Sequence, residues 1–469
     1  MTGKIYLVGA GPGDSGLMTL RGLEVLKRAD VVIYDNLVGE GIIAMIPENA
    51  ERIDAGKTAG YHKLSQKKIE SAMIERALSG KIVVRLKGGD PFIFGRGGEE
   101  SEAITKAGIT FEVVPGVTSA TGATAYAGIP VTHRNYCSGV NIFTAHDKRN
   151  LIPDFSASTS IFLMGVGNAE ALQSKLLETM RPDTPCAIIE NGTTSLQRTV
   201  RTKISRLHEA VVSKKINPPA VIVVGKVAGL NFDWRKNLPL SGKRIIITRP
   251  ESRAEKLASK LRDMGAEIIL LPTIRTDIIR GSIDNVNLSG YDWAGFTSVT
   301  GVDALFTLLN ESGRDIRELD AKIAAIGSAT KEALNSHGLK VDYMPEIFDG
   351  NHMAAGLAEF GGKILMLRAE NGTPEIDAVF RKYGINAEQI CIYRTDYVKL
   401  SHVPKFADII IFTSSSTVRG FAASTDELRE SWAVCIGYRT AYEALKAGFY
   451  RISIAERADV DSLAEACIL

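Results

Sequence analysis

A glycine-rich segment with two arginines and three acidic side chains is the part of this sequence best suited to chemistry. It reads VVRLKGGDPFIFGRGGEE over residues 83–100. Paired glycines and Asp90 follow a β-branched run, and a second glycine cluster surrounds Arg96 and precedes Glu99 and Glu100. Glycine is costly to order, so this density is typical of backbone that adopts positive φ or lies against a ligand. The segment therefore predicts a strand that ends in a ligand-binding loop, with a guanidinium and two carboxylates at its exit.

A second glycine-rich turn, VGAGPGD at residues 8–14, partly matches the fingerprint of a dinucleotide-binding fold. The spacing is GxGxG rather than GxGxxG, Pro12 lies inside the turn, and Asp14 stands where the third glycine belongs. The spacing therefore argues against a Rossmann site for NAD. A Rossmann site stays an alternative interpretation of this turn.

The composition is that of a globular protein with several domains. The chain has 469 residues, of which 45% are hydrophobic and 23% charged, and its formal net charge is +2. The five cysteines form no CxxC and the seven histidines no HExxH, so neither disulfides nor a metal site is expected. No signal peptide or long apolar run is evident. We expect a cytoplasmic protein that binds small molecules, with no nucleic acid, membrane or metal partner.

The alternation of strand-like and helical patterns predicts α/β domains with largely parallel sheets. Polar and helix-breaking residues at 232–243 separate the strand-like run at 220–225 from a fresh one at 244–250. We predict a first domain over residues 1–235, a linker over 236–242 and a second domain over 243–469.

The C-terminal half contains an internal repeat. GFTSVTGVDAL (295–305) recurs as IFTSSSTVRGF (411–421), IAAIGSATKEALNSHGL (323–339) as WAVCIGYRTAYEALKAGF (432–449), and GKRIIITR (242–249) more loosely as GKILMLR (362–368). The distance along the chain between the two copies is similar for all three segments, which predicts two similar α/β lobes. Because ligands bind beyond the strand ends of open parallel sheets, the twinned Thr-Ser pairs are candidates for an anion site. The alternative is that these hydroxyls cap the following helices.

Six segments together carry a family resemblance in the first half. The two glycine-rich segments, with ADVVIYDNLV (29–38), GKTAGYHKLSQ (56–66), VVPGVTSATG (113–122) and GIPVTHR (128–134), make residues 3–230 resemble the uroporphyrinogen-III C-methyltransferases of the tetrapyrrole methylase family. The resemblance implies two α/β subdomains with the active site between them, and a homodimer through this domain. It implies S-adenosylmethionine as cofactor, S-adenosylhomocysteine as its product, and methylation of uroporphyrinogen III at C2 and C7 to precorrin-2, on the siroheme and cobalamin branch.

The resemblance also implies residue roles, carried over motif by motif. The implied contacts of S-adenosylmethionine are Pro12, Gly88, Gly89, Asp90, Ile93, Thr118, Ser119, Met164 and Gly192. Asp35 and Lys57 match acid–base positions. Arg96 and Glu99 match residues of substrate binding and proton removal, and Arg134 matches a clamp for substrate carboxylates.

The identity of the base that removes the pyrrole proton stays open. Guanidinium groups suit the carboxylate-rich substrate because they form paired, charge-assisted hydrogen bonds. Arginine keeps its proton in proteins, so we assign orientation to Arg96 and leave the base between Glu99 and Asp35. Two structural alternatives remain: Asp35 caps the end of a strand, and Arg96 forms a plain ion pair with Glu99.

Residues 243–469 resemble uroporphyrinogen-III synthase through LPTIRTD (271–277), LRAENG (367–372), IYRTD (392–396) and the repeated segments. The resemblance implies a bilobed fold, with one lobe over 243–275 plus 397–469 and the other over 278–392. It implies cyclisation of hydroxymethylbilane with inversion of ring D, with Tyr393 assisting departure of the hydroxyl. Substrate contacts are expected at Thr297, Ser298, Thr413, Ser414 and Thr440. The alternative is a methyltransferase fused to a non-catalytic tetrapyrrole-binding or sensor domain.

Overall fold

The computed structural model describes residues 2–56, 64–145, 158–372, 375–385 and 387–469. The chain divides into two compact units. The first comprises Met1–Leu271, Leu400–Thr413 and Thr425–Leu469, and the second comprises Pro272–Lys399 and Ser414–Ser424. Among the described residues, no helix is long and apolar enough to cross a membrane.

The first sheet of the first unit is entirely parallel, as the alternating pattern predicts. Its strands are β1 (Lys4–Gly9), β2 (Val31–Tyr34), β3 (Glu51–Asp54), β4 (Ile82–Lys87) and β5 (Phe111–Val114), in the order β3-β2-β4-β1-β5. The helices are α1 (Leu20–Lys27), α2 (Glu40–Ile43), α3 (Gln66–Leu78) and α4 (Gly97–Lys106). Parallel strands covered on both faces read as continuous apolar runs, and β1 and β2 do so.

The second sheet is mixed, which differs from the prediction of largely parallel sheets. Its strands are β6 (Gly139–Thr144), β7 (Ser158–Leu163), β8 (Pro185–Glu190), β9 (Arg198–Lys203) and β10 (Ala220–Val224), in the order β6-β7-β10-β8-β9. The helices α5 (Ser119–Tyr126), α6 (Ala169–Thr179) and α7 (Leu207–Ser213) accompany them. Only β6 and β7 pair in parallel, because β10 enters antiparallel between β7 and β8, and a short loop reverses the chain between β8 and β9.

The C-terminal half contains ten strands and eight helices within the described residues. The strands are β11 (Arg244–Ile247), β12 (Glu267–Leu270), β13 (Ile274–Ile278), β14 (Trp293–Phe296), β15 (Lys322–Ala325), β16 (Ile364–Ala369), β17 (Ala387–Tyr397), β18 (Ile409–Phe412), β19 (Trp432–Cys435) and β20 (Ile452–Ile454). The helices are α8 (Glu251–Asp263), α9 (Val299–Ser312), α10 (Ser328–Ser336), α11 (Gly350–Phe360), α12 (Glu375–Lys382), α13 (Ser415–Ser424), α14 (Tyr438–Lys446) and α15 (Val460–Glu465).

These strands form two sheets whose order confirms the predicted pair of similar lobes. The first unit contains the parallel sheet β12-β11-β18-β19-β20, and the second contains β13-β17-β16-β14-β15, in which only β13 and β17 are antiparallel. The three repeated segments occupy equivalent places: β11 corresponds to β16, β18 to β14, and β19 to β15. The chain visits these places in a different order in each lobe, which explains why the repeat is scattered along the sequence.

Candidate active sites

Glycines from three strand ends form a narrow backbone cradle at the carboxyl edge of the first sheet. Gly11 and Gly89 exchange backbone hydrogen bonds, with N···O distances of 3.1 Å and 2.7 Å. Gly89 has φ of +71°, and a Cβ atom on Gly116 would lie 2.3 Å from the carbonyl oxygen of Gly89. Gly116 is required by space and Gly89 by its positive φ, so the glycines permit the backbones to approach each other and a ligand. The predicted ligand-binding loop after β4 therefore lies at the end of its sheet, where open α/β folds bind ligands.

Asp90 holds this cradle together through backbone hydrogen bonds. One carboxylate oxygen accepts from the amide of Gly116 at 3.0 Å, and the other accepts from that of Phe92 at 2.8 Å. A Cβ atom on Gly89 would lie 3.7 Å from the amide nitrogen of Ser119, whose predecessor Thr118 is the N-cap of α5. The structure thus brings Gly89, Asp90, Thr118 and Ser119 together, as the cofactor assignment requires.

The remaining predicted cofactor residues include two exposed apolar side chains and a glycine that follows a strand of the second sheet. Ile93 is 38% exposed and Met164 is 48% exposed. Gly192 lies beside the first glycine-rich turn, since a Cβ atom on Gly13 would be 3.4 Å from its carbonyl oxygen. Among the predicted substrate and acid–base residues, Arg134 is exposed, and Lys57 lies outside the described residues.

Asp35 directly follows β2 and faces the loop after β4. Its Oδ1 accepts hydrogen bonds from the amides of Leu37 at 3.2 Å and Gly88 at 3.3 Å, and Arg85 Nη2 lies 3.6 Å from its Oδ2. The side chain is 28% exposed. The strand-end cap and the acid–base role are therefore compatible, because the carboxylate caps its turn while remaining accessible beside a predicted cofactor residue.

A buried charge cluster behind Asp35 was not identified from the sequence. Arg85, Lys87 and Glu100 are almost fully buried. Glu100 lies 3.2 Å from Arg85 Nε and 2.9 Å from Lys87 Nζ. Burial lowers the pKa of Lys87, and repulsion by Arg85 lowers it further. The available signal was the alternation of Arg85 and Lys87 in an apolar strand, because buried cations require a paired anion.

Arg96 and Glu99 form the ion pair that was considered as the plain structural alternative. Arg96 precedes α4 with φ of +59°, and its Nε lies 2.5 Å from Glu99 Oε2. Both side chains are more than half exposed. An exposed pair of this kind contributes little to stability, so both groups are available to a bound substrate.

Asp14, the residue that breaks the dinucleotide fingerprint, connects distant parts of the fold. Its Oδ2 accepts a hydrogen bond from the Tyr126 hydroxyl at 2.8 Å, and its amide donates to Thr193 Oγ1 at 3.1 Å. Burial and the nearby carboxylate raise the pKa of Tyr126. The substitution of aspartate for the third glycine therefore has a structural explanation in these contacts.

The second unit places Tyr393 beside Ser298. The Tyr393 hydroxyl lies 2.8 Å from Ser298 Oγ, which also accepts a hydrogen bond from the amide of Gly301 at 3.0 Å and caps α9. The ring of Tyr393 is buried in the core of its lobe. Ser298 therefore performs the capping role and also presents its hydroxyl to the predicted catalytic tyrosine.

The other hydroxyls predicted to bind substrate have different surroundings. Thr297 and Thr413 are half-buried at the ends of their strands. Ser414 exchanges hydrogen bonds with Thr417 at the start of α13, at 3.3 Å in each direction, as a helix cap does. Thr440 is 4% exposed within α14, and its substrate contact stays a prediction.

Comparisons with known proteins identify both halves. Residues 4–208 match the family model of the tetrapyrrole (corrin/porphyrin) methylases, and residues 255–465 match that of uroporphyrinogen-III synthase HemD. The porphyrin biosynthesis protein HemD of Ruminiclostridium josui is 42% identical over 490 residues, covering 98% of this chain and 97% of the relative. The chain belongs to the tetrapyrrole methylases, fused to a uroporphyrinogen-III synthase.

The chain is also similar to two further proteins. The uroporphyrinogen-III C-methyltransferase of Bacillus subtilis (strain 168) is 37% identical over 350 residues, covering 72% of each chain. The solved uroporphyrin-III C-methyltransferase of Thermus thermophilus complexed with S-adenosylhomocysteine is 37% identical, with a TM-score of 0.42, covering 48% of this chain and 98% of that one. Both family resemblances predicted from the sequence are confirmed. Below, the predicted domain over residues 1–235 is called the methylase half and the predicted domain over residues 243–469 the synthase half.

Proposed function

We propose that the protein catalyses two consecutive steps of tetrapyrrole biosynthesis. The synthase half cyclises hydroxymethylbilane to uroporphyrinogen III with inversion of ring D. The methylase half then methylates uroporphyrinogen III at C2 and C7 to precorrin-2. The observation that carries this proposal is the presence of both family matches on one chain, since the product of one half is the substrate of the other. We further propose that the protein is a homodimer through its methylase half.

The glycine cradle fits S-adenosylmethionine, which supplies an electrophilic methyl group when bound. A Cβ atom on Gly116 would lie 2.3 Å from the carbonyl oxygen of Gly89, so only glycine permits this packing of the strand ends, and main chain without side chains can lie against the cofactor. Gly88, Gly89, Thr118 and Ser119 supply this backbone contact. The exposed Ile93 and Met164 supply apolar surface, together with Pro12 and Gly192 from the neighbouring turn and loop.

Asp35 is the base that takes up the proton that the tetrapyrrole loses when the methyl group is added. It is partly accessible, and its Oδ1 accepts a hydrogen bond from the amide of Gly88, a residue of the cofactor assignment, whereas Glu99 forms an exposed ion pair with Arg96. Arg96 and the exposed Arg134 bind the carboxylates of the substrate and orient the ring, because guanidinium groups match carboxylates in geometry and charge.

In the synthase half, Tyr393 assists departure of the hydroxyl from the linear substrate. Its partner Ser298 fixes the direction of the phenolic hydroxyl. Hydroxyls at Thr297, Thr413, Ser414 and Thr440 bind substrate carboxylates. Cyclisation of a flexible chain mainly requires that its ends be held in place, so orientation supplies much of the rate enhancement.

The purified full chain, incubated with hydroxymethylbilane, is expected to release the type III isomer of uroporphyrinogen without any cofactor. With S-adenosylmethionine present, the product is expected to be precorrin-2, formed together with S-adenosylhomocysteine. Uncatalysed closure gives the type I isomer, so the isomer ratio from chromatography is the decisive measurement. A type I product alone would show that the synthase half only binds tetrapyrroles, and absence of methylated product would contradict the first half of the proposal.

Tyr393→Phe is expected to lower the rate of type III formation about tenfold or more, because the hydroxyl that assists the leaving group is lost. The III:I ratio of the enzyme-made product is expected to persist, since the carboxylate contacts remain. Tyr291→Phe is the matched control, because Tyr291 is also buried in this lobe but precedes β14 and pairs through its hydroxyl with Glu388. Burial is the main reason that the pKa of Tyr291 is raised to about 12. Equal rates for the two variants would remove Tyr393 from catalysis.

A further inference from the structure

An edge strand of the synthase half is covered by the methylase half. Strand β12 is the outermost strand of its sheet, and the Ser15 hydroxyl donates to the carbonyl oxygen of Ile268 in it, at 3.3 Å. Gly41 in α2 also packs there, since a Cβ atom on it would lie 3.3 Å from the same oxygen. An exposed edge strand is prone to pair with other chains, and this covering removes that exposure. All of these residues lie in the first compact unit.

A buried ion network crosses the same boundary. Arg244 forms two hydrogen bonds with Glu267, at 3.1 Å and 3.0 Å, and its Nη1 lies 3.2 Å from Glu40 of the methylase half. The Phe406 ring lies 4.0 Å from the guanidinium. Arg244 and Glu267 are almost fully buried. Buried charges held with this geometry define the position of the groups they contact.

Glu267 also reaches into a loop of the methylase half. Its Oε2 accepts a hydrogen bond from the amide of Ser195 at 2.7 Å. Ser195 lies in the loop between β8 and β9, residues 191–197, which also contains Gly192. Two residues of this loop adopt positive φ, Asn191 at +48° and Thr193 at +72°. Such strained backbone persists only where its surroundings hold it in place.

This loop in turn packs on the first glycine-rich turn. Thr193 Oγ1 accepts from the amide of Asp14 at 3.1 Å, and a Cβ atom on Gly13 would lie 2.8 Å from Cγ2 of Thr194. A continuous series of contacts therefore runs from Glu267 through Ser195 and Thr193 to the turn that contains Pro12.

We propose that Glu267, a residue of the synthase half, positions the loop 191–197 and so sets the affinity of the methylase half for its cofactor. The inference rests on the proposed function, because it assumes that Gly192 and Pro12 contact S-adenosylmethionine. The synthase half thereby acts as a structural part of the methylase site. Glu267 is a positioning residue, since it reaches the cofactor only through the loop.

Glu267→Ala in the full chain tests this role. Alanine removes Oε2, which accepts from the amide of Ser195 and from Arg244 Nε, so the contact with the loop is lost. We expect the dissociation constant of S-adenosylhomocysteine, measured by calorimetry, to rise about five- to tenfold. The KM for S-adenosylmethionine is expected to rise similarly with uroporphyrinogen III as substrate, while kcat changes little.

Two control variants separate positioning from simple destabilisation. Glu251→Gln removes an exposed carboxylate that also pairs across the boundary, 2.6 Å from Lys27, and is expected to leave the dissociation constant unchanged. Asp459→Ala removes the N-cap of α15 and is expected to lower the melting temperature without affecting cofactor affinity.

An unchanged dissociation constant in Glu267→Ala, with a lowered melting temperature, would overturn the inference and leave Glu267 as a stabilising contact only. If that variant does not fold, Glu267→Asp keeps the charge while withdrawing the carboxylate by one methylene, and the same measurement applies. Failure of the wild-type protein to bind S-adenosylhomocysteine would contradict the proposed function instead.

Discussion

Asp35→Asn is expected to lower the rate of methylation by about 10²–10⁴-fold, the usual contribution of a general base. Asparagine keeps the carbonyl oxygen that accepts hydrogen bonds from Leu37 and Gly88, so the turn after β2 should keep its shape. What is lost is the ability to take up the proton that the tetrapyrrole loses on methylation. The measurement is the initial rate of precorrin-2 formation from uroporphyrinogen III at saturating S-adenosylmethionine.

The same preparation provides the controls for this prediction. Binding of S-adenosylhomocysteine and synthesis of the type III isomer are expected to be retained, which would exclude unfolding as the cause. Glu99→Gln discriminates between the two candidate bases. Wild-type turnover in Asp35→Asn, together with inactivity of Glu99→Gln, would reassign the proton removal to Glu99.

Glu100→Ala is expected to lower the free energy of unfolding by about 3–5 kcal/mol, because it leaves buried cations without their shared anion. Glu100 is fully buried against Arg85 and Lys87, whereas its neighbour Glu99 is more than half exposed. Glu99→Ala is thus the matched control, with an expected loss below about 1 kcal/mol. Urea denaturation followed by circular dichroism measures the difference, and hydrogen exchange locates it at β4 and α4.

The destabilisation by Glu100→Ala is expected to depend on pH. Burial lowers the pKa of Lys87, and Glu100 opposes that shift, so the lysine loses its proton at lower pH in the variant. A lysine with a lowered folded-state pKa costs stability while it is protonated, and this cost begins to fall as the pH rises past that pKa and vanishes above the unfolded-state pKa. The difference between the two proteins should therefore decrease from neutral to alkaline pH. Equal stability of Glu100→Ala and Glu99→Ala at neutral pH would contradict the buried cluster.

Features encoded in short stretches of sequence were predictable. The glycines of the loop after β4 indicated backbone at positive φ, and Gly89 has φ of +71°. The repeated Phe-Thr-Ser segments indicated strand ends, and β14 and β18 do end at Phe296 and Phe412. These features depend on the intrinsic conformational preferences of a few adjacent residues, and the repeat reports the same local pattern twice.

The partners of individual side chains were decided by the tertiary structure. Glu99 and Glu100 are adjacent and chemically identical, yet the packing of α4 on β4 exposes one and buries the other. Ser195 and Glu267 meet across the predicted boundary between the two halves, and no local pattern marks either of them. Nor did the alternation of strands and helices reveal that β10 enters its sheet antiparallel. Contacts of this kind arise where surfaces distant along the chain pack together, so their energies do not appear in any short window of sequence.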